Sequence, residues 1–444
     1  MPCRSPAPAG PRCNRPAHPT MQPLHKPEIM SPAGNWTSLS AAIHAGADAI
    51  YCGLRGFNMR DGSSNFSVAE LPRLVRTCHE ANVRAYLALN TIIHENELPR
   101  IQRLLLAAAA AGIDAVICWD MAVIQAATAL GLPVFLSTQM SVSNSASLAT
   151  FYRTFGIRRF VLARECSLRQ IRSMRRQLVT LLGADAANIE IEVFAHGAMC
   201  VSISGRCFLS EASVGKSANR GQCTQPCRRP YQITSSEGDV AFRIGDTYLL
   251  SPQDLCTLPF IEQLLEAGVS SLKIEGRGRA PEYVSTVTSA YRRCVDFYFA
   301  NRRRPHFKPQ FQALKDSLMQ ELDSVYHRGH ASGFYMGRPI DQWTSAPNSQ
   351  AASKKLHVGE VVKFYRKAGA VEIHVSDTGF ALGDELIIQG PTTGVVRVHV
   401  TSIQIDHQAV ATASRGQAVA VQLASPARRG DHVYRVTRRD GPRG

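Results

Sequence analysis

Long hydrophobic runs are missing from this 444-residue chain. No apolar stretch approaches the roughly 20 residues that span a bilayer, so no part of it is a candidate membrane helix. The opening MPCRSPAPAGPRCNRPAHPT also lacks the apolar continuity of a secretory signal, and the expected compartment is the cytoplasm. Three catalytic fingerprints are absent as well. Without H-E-x-x-H or G-x-S-x-G there is neither the usual protease zinc site nor a serine nucleophile elbow. Without a G-x-G-x-x-G after the first β-rich run, a dinucleotide-binding open sheet loses its main support. Acidic residues are scarce, 35 against 50 lysines and arginines, which leaves a formal charge of +15. Four of these charges lie in the first 26 residues (Arg4, Arg12, Arg15, Lys26), and a net four lie from Arg428 onward. The rest is spread over the middle and is densest in YRRCVDFYFANRRRPHFK. A basic surface favours anionic partners such as RNA, although solvated arginines alone would give the same balance.

What is present is a rhythm. Short β-rich runs recur at 28–32, 48–53, 84–90, 114–119, 133–137, 159–165, 189–197 and 271–277, with helical patterns between them. Several helices end on glycine (Gly46, Gly112, Gly131, Gly156), where a left-handed residue closes the last turn. Eight strands alternating with helices predict an α/β fold, a (β/α)8 TIM-like barrel. After about residue 350 apolar and polar residues alternate strictly, which predicts a small C-terminal all-β barrel of five or six strands. The expected divisions are a disordered extension over 1–26, with Met21 as an alternative start, and the barrel over 27–305. A helical segment and linker over 306–354, an antiparallel β-barrel over 355–437 and a basic tail over 438–444 follow.

In such a barrel the chemistry sits at the C-terminal strand ends. Polar residues there are Asn90, Asp120, Gln139, Arg164, Glu165, His196, Lys273, Glu275 and Arg277. Any of them could be a satisfied structural group, and Lys273 with Glu275 could form an internal ion pair. Beyond the seventh strand the rhythm breaks in a loop, 196–231, which carries Cys200, Cys207, Cys223 and Cys227 with the spacing C-x6-C-x15-C-x3-C. Disulfides are disfavoured in a cytosolic chain. Zinc usually takes two close pairs, whereas an iron–sulfur cluster accepts irregular spacings; spacing leaves both metals open. The loop also carries Arg206, Lys216, Arg220, Arg228 and Arg229 against one acid, Glu211. Cys52, Cys78, Cys118, Cys166 and Cys294 read as buried small hydrophobes, and Cys256, at an expected helix start, as a spare ligand.

The stretches EIMSPAGNWTSLSAAIHAGADAIYCGL, HGAMCVSISGRCFLS, SANRGQCTQPCRRPY and SLKIEGRGRAPEYV together resemble peptidase family U32, the collagenase-like proteins. The resemblance covers Lys26 to Phe307, and the end of the chain is similar to the small barrel of longer members. It implies a 4Fe–4S cluster on Cys200, Cys207, Cys223 and Cys227. It also implies oxygen-independent hydroxylation, in one branch of the tRNA wobble uridine and in another of a 23S ribosomal RNA cytidine, with prephenate as cosubstrate. A third branch works as a paired complex in ubiquinone synthesis. The close third and fourth cysteines of RGQCTQPCR resemble the RNA branches, and tRNA is the favoured substrate. The residues expected to act are His196, Lys273 and Glu275 in catalysis and Asn90, Gln139, Arg164 and Arg277 in binding substrate. A related U32 protein is a candidate partner; peptidase action and an accessory role in ubiquinone synthesis are the alternatives.

Overall fold

The structure is a computed structural model, which describes residues 24–439 apart from 230, 235–240, 245–249, 340, 341 and 347. Most of the expected N-terminal extension therefore lies outside the described residues. Leu24 packs against the core and Lys26 pairs with Asp296 at 2.7 Å, so 24–26 belong to the folded body.

Eight parallel strands close into a barrel: β1 (Glu28–Pro32), β2 (Ala49–Gly53), β3 (Arg84–Ala88), β4 (Ala115–Cys118), β5 (Val134–Leu136), β6 (Arg159–Val161), β7 (Glu190–Gly197) and β8 (Ser271–Ile274). Each pairs with the next, β8 pairs with both β7 and β1, and helices cover the outside. Gly112 and Gly156 end their helices at φ 76° and 67°, which is the left-handed closure that the spacing predicts.

The inside of the barrel departs from the usual filling of branched apolar residues. A small cluster of Met30, Ala49, Tyr51, Tyr86, Ala115 and Ile117 shares the interior with charges. Arg159 of β6 donates to Glu28 at 2.6 Å and to Glu190 at 2.5 Å, and lies 3.9 Å from Glu192. Tyr86 donates its hydroxyl to Glu28 at 2.7 Å. One level higher, Lys273 donates to Glu192 at 2.8 Å. Lys273 does not pair with Glu275: alternate positions of β8 both face inward, but Glu192 on the neighbouring β7 lies level with Lys273 and takes its ammonium.

Between β7 and β8 stands a short strand, Asp254–Cys256, antiparallel to the end of β7 and paired on its other side with His330–Ala331. Cys256 thus lies in a strand rather than at a helix start, buried with its thiol 3.8 Å from the Met319 sulfur. It does not line the cavity described below.

The C-terminal part is an antiparallel sheet of eight strands, more than the alternation predicts, with a two-stranded sheet beside it. The two end strands of the large sheet are not hydrogen-bonded to each other. Short β-runs such as Ile403–Ile405 and Gln408–Val410 are too brief to read as separate periods in sequence. Its own core includes Val361, Ile373, Leu386, Ile388 and Val433. It seats on the barrel helix Trp36–His44, where Ser40 donates to the Pro391 carbonyl at 2.6 Å. A side chain at Gly394 would meet the Ala41 backbone at 2.8 Å.

Arg159→Met should strand the Glu28 and Glu192 carboxylates in the barrel. Removing one partner of a buried pair costs about 3–5 kcal/mol, so urea unfolding should show a midpoint lowered accordingly. An unchanged midpoint would show that the interior ions are not coupled.

Candidate active site

At the C-terminal end of the barrel lies a cavity of about 170 Å³ whose lining includes all four loop cysteines together with Arg60, Asn90, Gln139, Arg164, Lys273, Glu275 and Arg277. Residues separated by as much as 217 positions are thereby brought to one space, because parallel strands deliver all their C-terminal ends to the same face.

The floor is ionic. Glu275 accepts from Arg60 at 2.8 Å and from the Ala198 N–H at 3.3 Å. Burial pushes the Glu275 carboxyl up, but Arg60, Arg279 and Arg164 outweigh burial and hold it down at about 2. Lys273 is shifted the other way: burial lowers it, against the opposing pull of Glu192. Its ammonium also faces the Tyr51 ring at 4.5 Å. Arg277 is buried, which draws it down to about 10. Its Nη2 donates to Asn58 at 2.7 Å, whereas its Nη1 is buried with no hydrogen-bond partner. The Arg277 guanidinium lies over β2 because position 53 is glycine; a Cβ there would stand 2.1 Å from Nη1. Arg164 donates to the Ala198 carbonyl at 2.7 Å and stacks on Phe194 at 4.0 Å.

Asn90 and Gln139 line the cavity but also hold neighbouring segments. Asn90 accepts from the Met59 N–H at 3.2 Å, and Gln139 accepts from the Ser137 hydroxyl through its side chain and from Arg206 through its backbone carbonyl. Asp120 caps a helix at the Ala122 N–H, and Glu165 accepts from Ser204.

The cysteine loop is fastened by its arginines. Arg220 donates to Glu97 and to the Ile92 carbonyl. Arg228 donates to the Ser251 hydroxyl at 2.7 Å and the Pro252 carbonyl at 2.8 Å. Three of the sulfurs accept hydrogen bonds: Cys200 from Ser202 N–H (3.4 Å), Cys207 from Leu209 N–H (3.4 Å) and Cys223 from the Ser210 hydroxyl (3.9 Å). Burial raises Cys227, with Arg228 lowering it and the other three cysteines raising it further. Among the described residues, the groups of His, Cys, Asp and Glu whose ligand atoms lie within 4.8 Å of one another do not include these four.

His196 is the exception among the expected residues: it does not line the cavity. The register between β7 and β8 slips after Phe194, so that Phe194 is level with Lys273 but His196 with Ile274. This bulge turns His196 out of the barrel, onto Tyr283, Tyr291 and His330. Burial lowers it well below its ordinary value, with His330 and His327 adding to the effect. The structure therefore does not bring His196 to the cavity that the other expected residues line. Among the described residues, the set that does converge within 4.8 Å is Asp323, His327 and His330. The two imidazoles are stacked at 4.4 Å, and the Gly329 N–H donates to Nδ1 of His327. Stacked rings point their lone pairs alongside each other rather than at one ion. Sequence reasoning missed Arg60 and Asn58, which stand in the loop after β2; their signal was the polar stretch RGFNMRDGSSNF, not itself a strand end.

The sequence profile of peptidase family U32 matches residues 34–345. A protein of Porphyromonas gingivalis (strain W83) named collagenase is 36% identical, over 93% of this chain and 98% of its own. The tRNA hydroxylation protein P1 of Bacillus subtilis is 33% identical, over 82% of this chain and 84% of its own. A 23S rRNA 5-hydroxycytidine synthase of Escherichia coli is 35% identical, over 76% of this chain and 49% of its own.

The depressed carboxyl of Glu275 sets a pH window. Its native-state value of about 2 lies below the ordinary 4.5, so its contribution is present above 4.5 and is lost as pH falls through 2. It is on the order of 3 kcal/mol. Stability measured by denaturant between pH 5 and pH 2 should fall more steeply in the native protein than in Glu275→Gln. Parallel curves would contradict the Arg60–Glu275 assignment.

Proposed function

The chain belongs to peptidase family U32, and we propose that it is an iron–sulfur-dependent enzyme that hydroxylates RNA without dioxygen. The tRNA wobble uridine is the substrate and a dicarboxylate such as prephenate the cosubstrate. The observation that carries this reading is the meeting of four thiols and a bank of cations in one cavity, which no histidine lines among the described residues. A cysteine peptidase needs a base within hydrogen-bond reach of its thiol; here the loop thiols accept hydrogen bonds from Ser202, Leu209 and Ser210 instead. Those bonds, and four thiols facing one cavity, fit a 4Fe–4S cluster held by Cys200, Cys207, Cys223 and Cys227. Bound there, such a cluster would supply one-electron chemistry.

The remaining roles belong to the chain itself. Arg277 has an unpartnered N–H in a buried site, a loss that an anionic ligand would make good. Arg164, lining the same cavity, is the second candidate for a carboxylate, and a guanidinium can engage one through two hydrogen bonds. Glu275 stays ionised and clamped to Arg60, which makes it a poor proton donor and a positioning group. Lys273, with its affinity for a proton reduced by burial, is the side chain placed to hold or release one. Asn90 and Gln139 keep the loops that face the substrate in place.

Anaerobically purified protein should contain iron and acid-labile sulfide. Replacing any one of Cys200, Cys207, Cys223 or Cys227 with alanine should remove them, and Cys78→Ala should not. Stoichiometric zinc without iron would overturn the cofactor. Mass spectrometry of nucleosides from a deletion strain should show the loss of one hydroxylated pyrimidine from tRNA. A complete nucleoside set, together with collagen cleavage by the purified protein, would favour the peptidase reading. A complete set with depleted ubiquinone would favour the accessory role.

Arg277→Met and Arg164→Met should each abolish the modification while the iron content stays unchanged. Full modification in both would exclude these arginines as acid-binding groups.

A further inference from the structure

The two most exposed large hydrophobic side chains among the described residues are Phe208, 72% exposed, and Ile203, 66%. Both stand in the cysteine loop, and Val214 in the same loop is 49% exposed. Elsewhere the aromatic residues are largely packed away, as Tyr283, Tyr291 and Phe160 are in the barrel wall. Phe208 does not itself line the cavity, but its chain neighbours Cys207 and Leu209 both do. Nothing in the fold of the loop requires it there: its backbone precedes the helix Leu209–Val214, and its side chain contributes no core contact.

The charges around it have divided into two sets. Arg220 and Arg228 point inward and hold the loop down. Arg206, Lys216 and Arg229 are exposed and, among the described residues, form no ion pair; Arg206 instead lies over the Trp119 ring at 4.9 Å. An exposed aromatic and unpaired cations carried on one loop beside a cavity are means by which proteins hold unpaired nucleotides. The cations take the phosphates and the ring takes a base face. A lipid surface would call for a larger apolar area, and a peptide would not call for the surplus of cations.

We infer that Phe208 is the stacking platform on which an unpaired RNA base is laid at the cavity rim, with Lys216 and Arg229 holding the flanking phosphates. The inference rests on the RNA reading above and deepens it: the substrate must present its target in a loop or single strand, because a paired base has no free face to give the ring. Ile203 widens the apolar rim.

The test is fluorescence anisotropy with two labelled RNAs, a hairpin with uridines in its loop and a blunt duplex of the same stem sequence. The anaerobic full-length protein should prefer the hairpin. Phe208→Ala should weaken hairpin binding roughly tenfold, within the range that one stacked base contributes, and leave duplex binding unchanged. Phe208→Trp should restore it. Lys216→Ala with Arg229→Ala should weaken both RNAs and reduce the salt dependence, by a slope of roughly 1–2; Phe208→Ala should not alter the slope. Iron content measured on every variant separates a lost platform from a damaged loop. Equal hairpin affinity in Phe208→Ala and native protein would overturn the platform alone. Failure of the native protein to bind either RNA would overturn the RNA reading and the platform together. Loss of a co-purifying protein from Phe208→Ala, with hairpin affinity unchanged, would reassign the patch to protein docking.

Discussion

The charges buried inside the barrel govern the rest of the molecule. Glu28, Arg159, Glu192 and Lys273 form a continuous ionic column where apolar layers would ordinarily stand. Each ion there has left water, so each needs a partner, and the pairing proceeds upward until the carboxylates run out. At the mouth, Glu192 meets Lys273 and Glu275 meets Arg60. Among the described residues, Arg164 and Arg277 line the same cavity without an ion pair, hydrogen-bonded to carbonyl and amide oxygens. The excess of positive charge continues the column to the mouth and is the physical ground for the acidic ligand proposed there. It also explains why Gly53 is small: Arg277 is held against β2 without room for even a methyl group.

Much of this was legible beforehand because it depends on local pattern. The eight barrel strands fall where alternating β-rich and helical stretches place them, and the helix-closing glycines have the left-handed φ that their positions imply. The cysteine loop was legible as an interruption of that rhythm. The partner of Lys273 was not, since which of two facing carboxylates it meets depends on the register of β7 against β8. The C-terminal strand count failed for a related reason: segments of two or three residues, such as Phe380–Ala381, carry no period.

His196 shows the limit most sharply. By strand alternation it should share the inner face with Glu192 and Phe194, and a histidine on a strand end beside four cysteines reads as a base or a ligand. One slipped register reverses its direction. A bulge adds a residue to one strand without any marking in composition, and here the glycine at position 197, with φ 111°, lets the chain leave β7 tightly against the backbone of Glu275. The same irregularity brings the Ala198 N–H to the Glu275 carboxylate. Losing the histidine from the cavity and fixing its acid are therefore one structural event. Three of the loop thiols keep Ser202, Leu209 and Ser210 as partners, and among the described residues no histidine lines their cavity.

The loop above them answers two demands that pull in opposite directions. Its thiols must stay fixed relative to one another, yet a segment of small and polar residues has little core to fix them. Arginine resolves the conflict on the inner side: Arg220 and Arg228 reach back to Glu97, Ser251 and Pro252 and replace apolar packing with directed hydrogen bonds. With the inner side anchored in this way, the outer side is released from any role in stability. Ile203 and Phe208, exposed there, gain little from burial on folding. An exposed ring next in sequence to a cavity-lining cysteine, on a loop with exposed cations, is the feature for which the proposed RNA contact accounts.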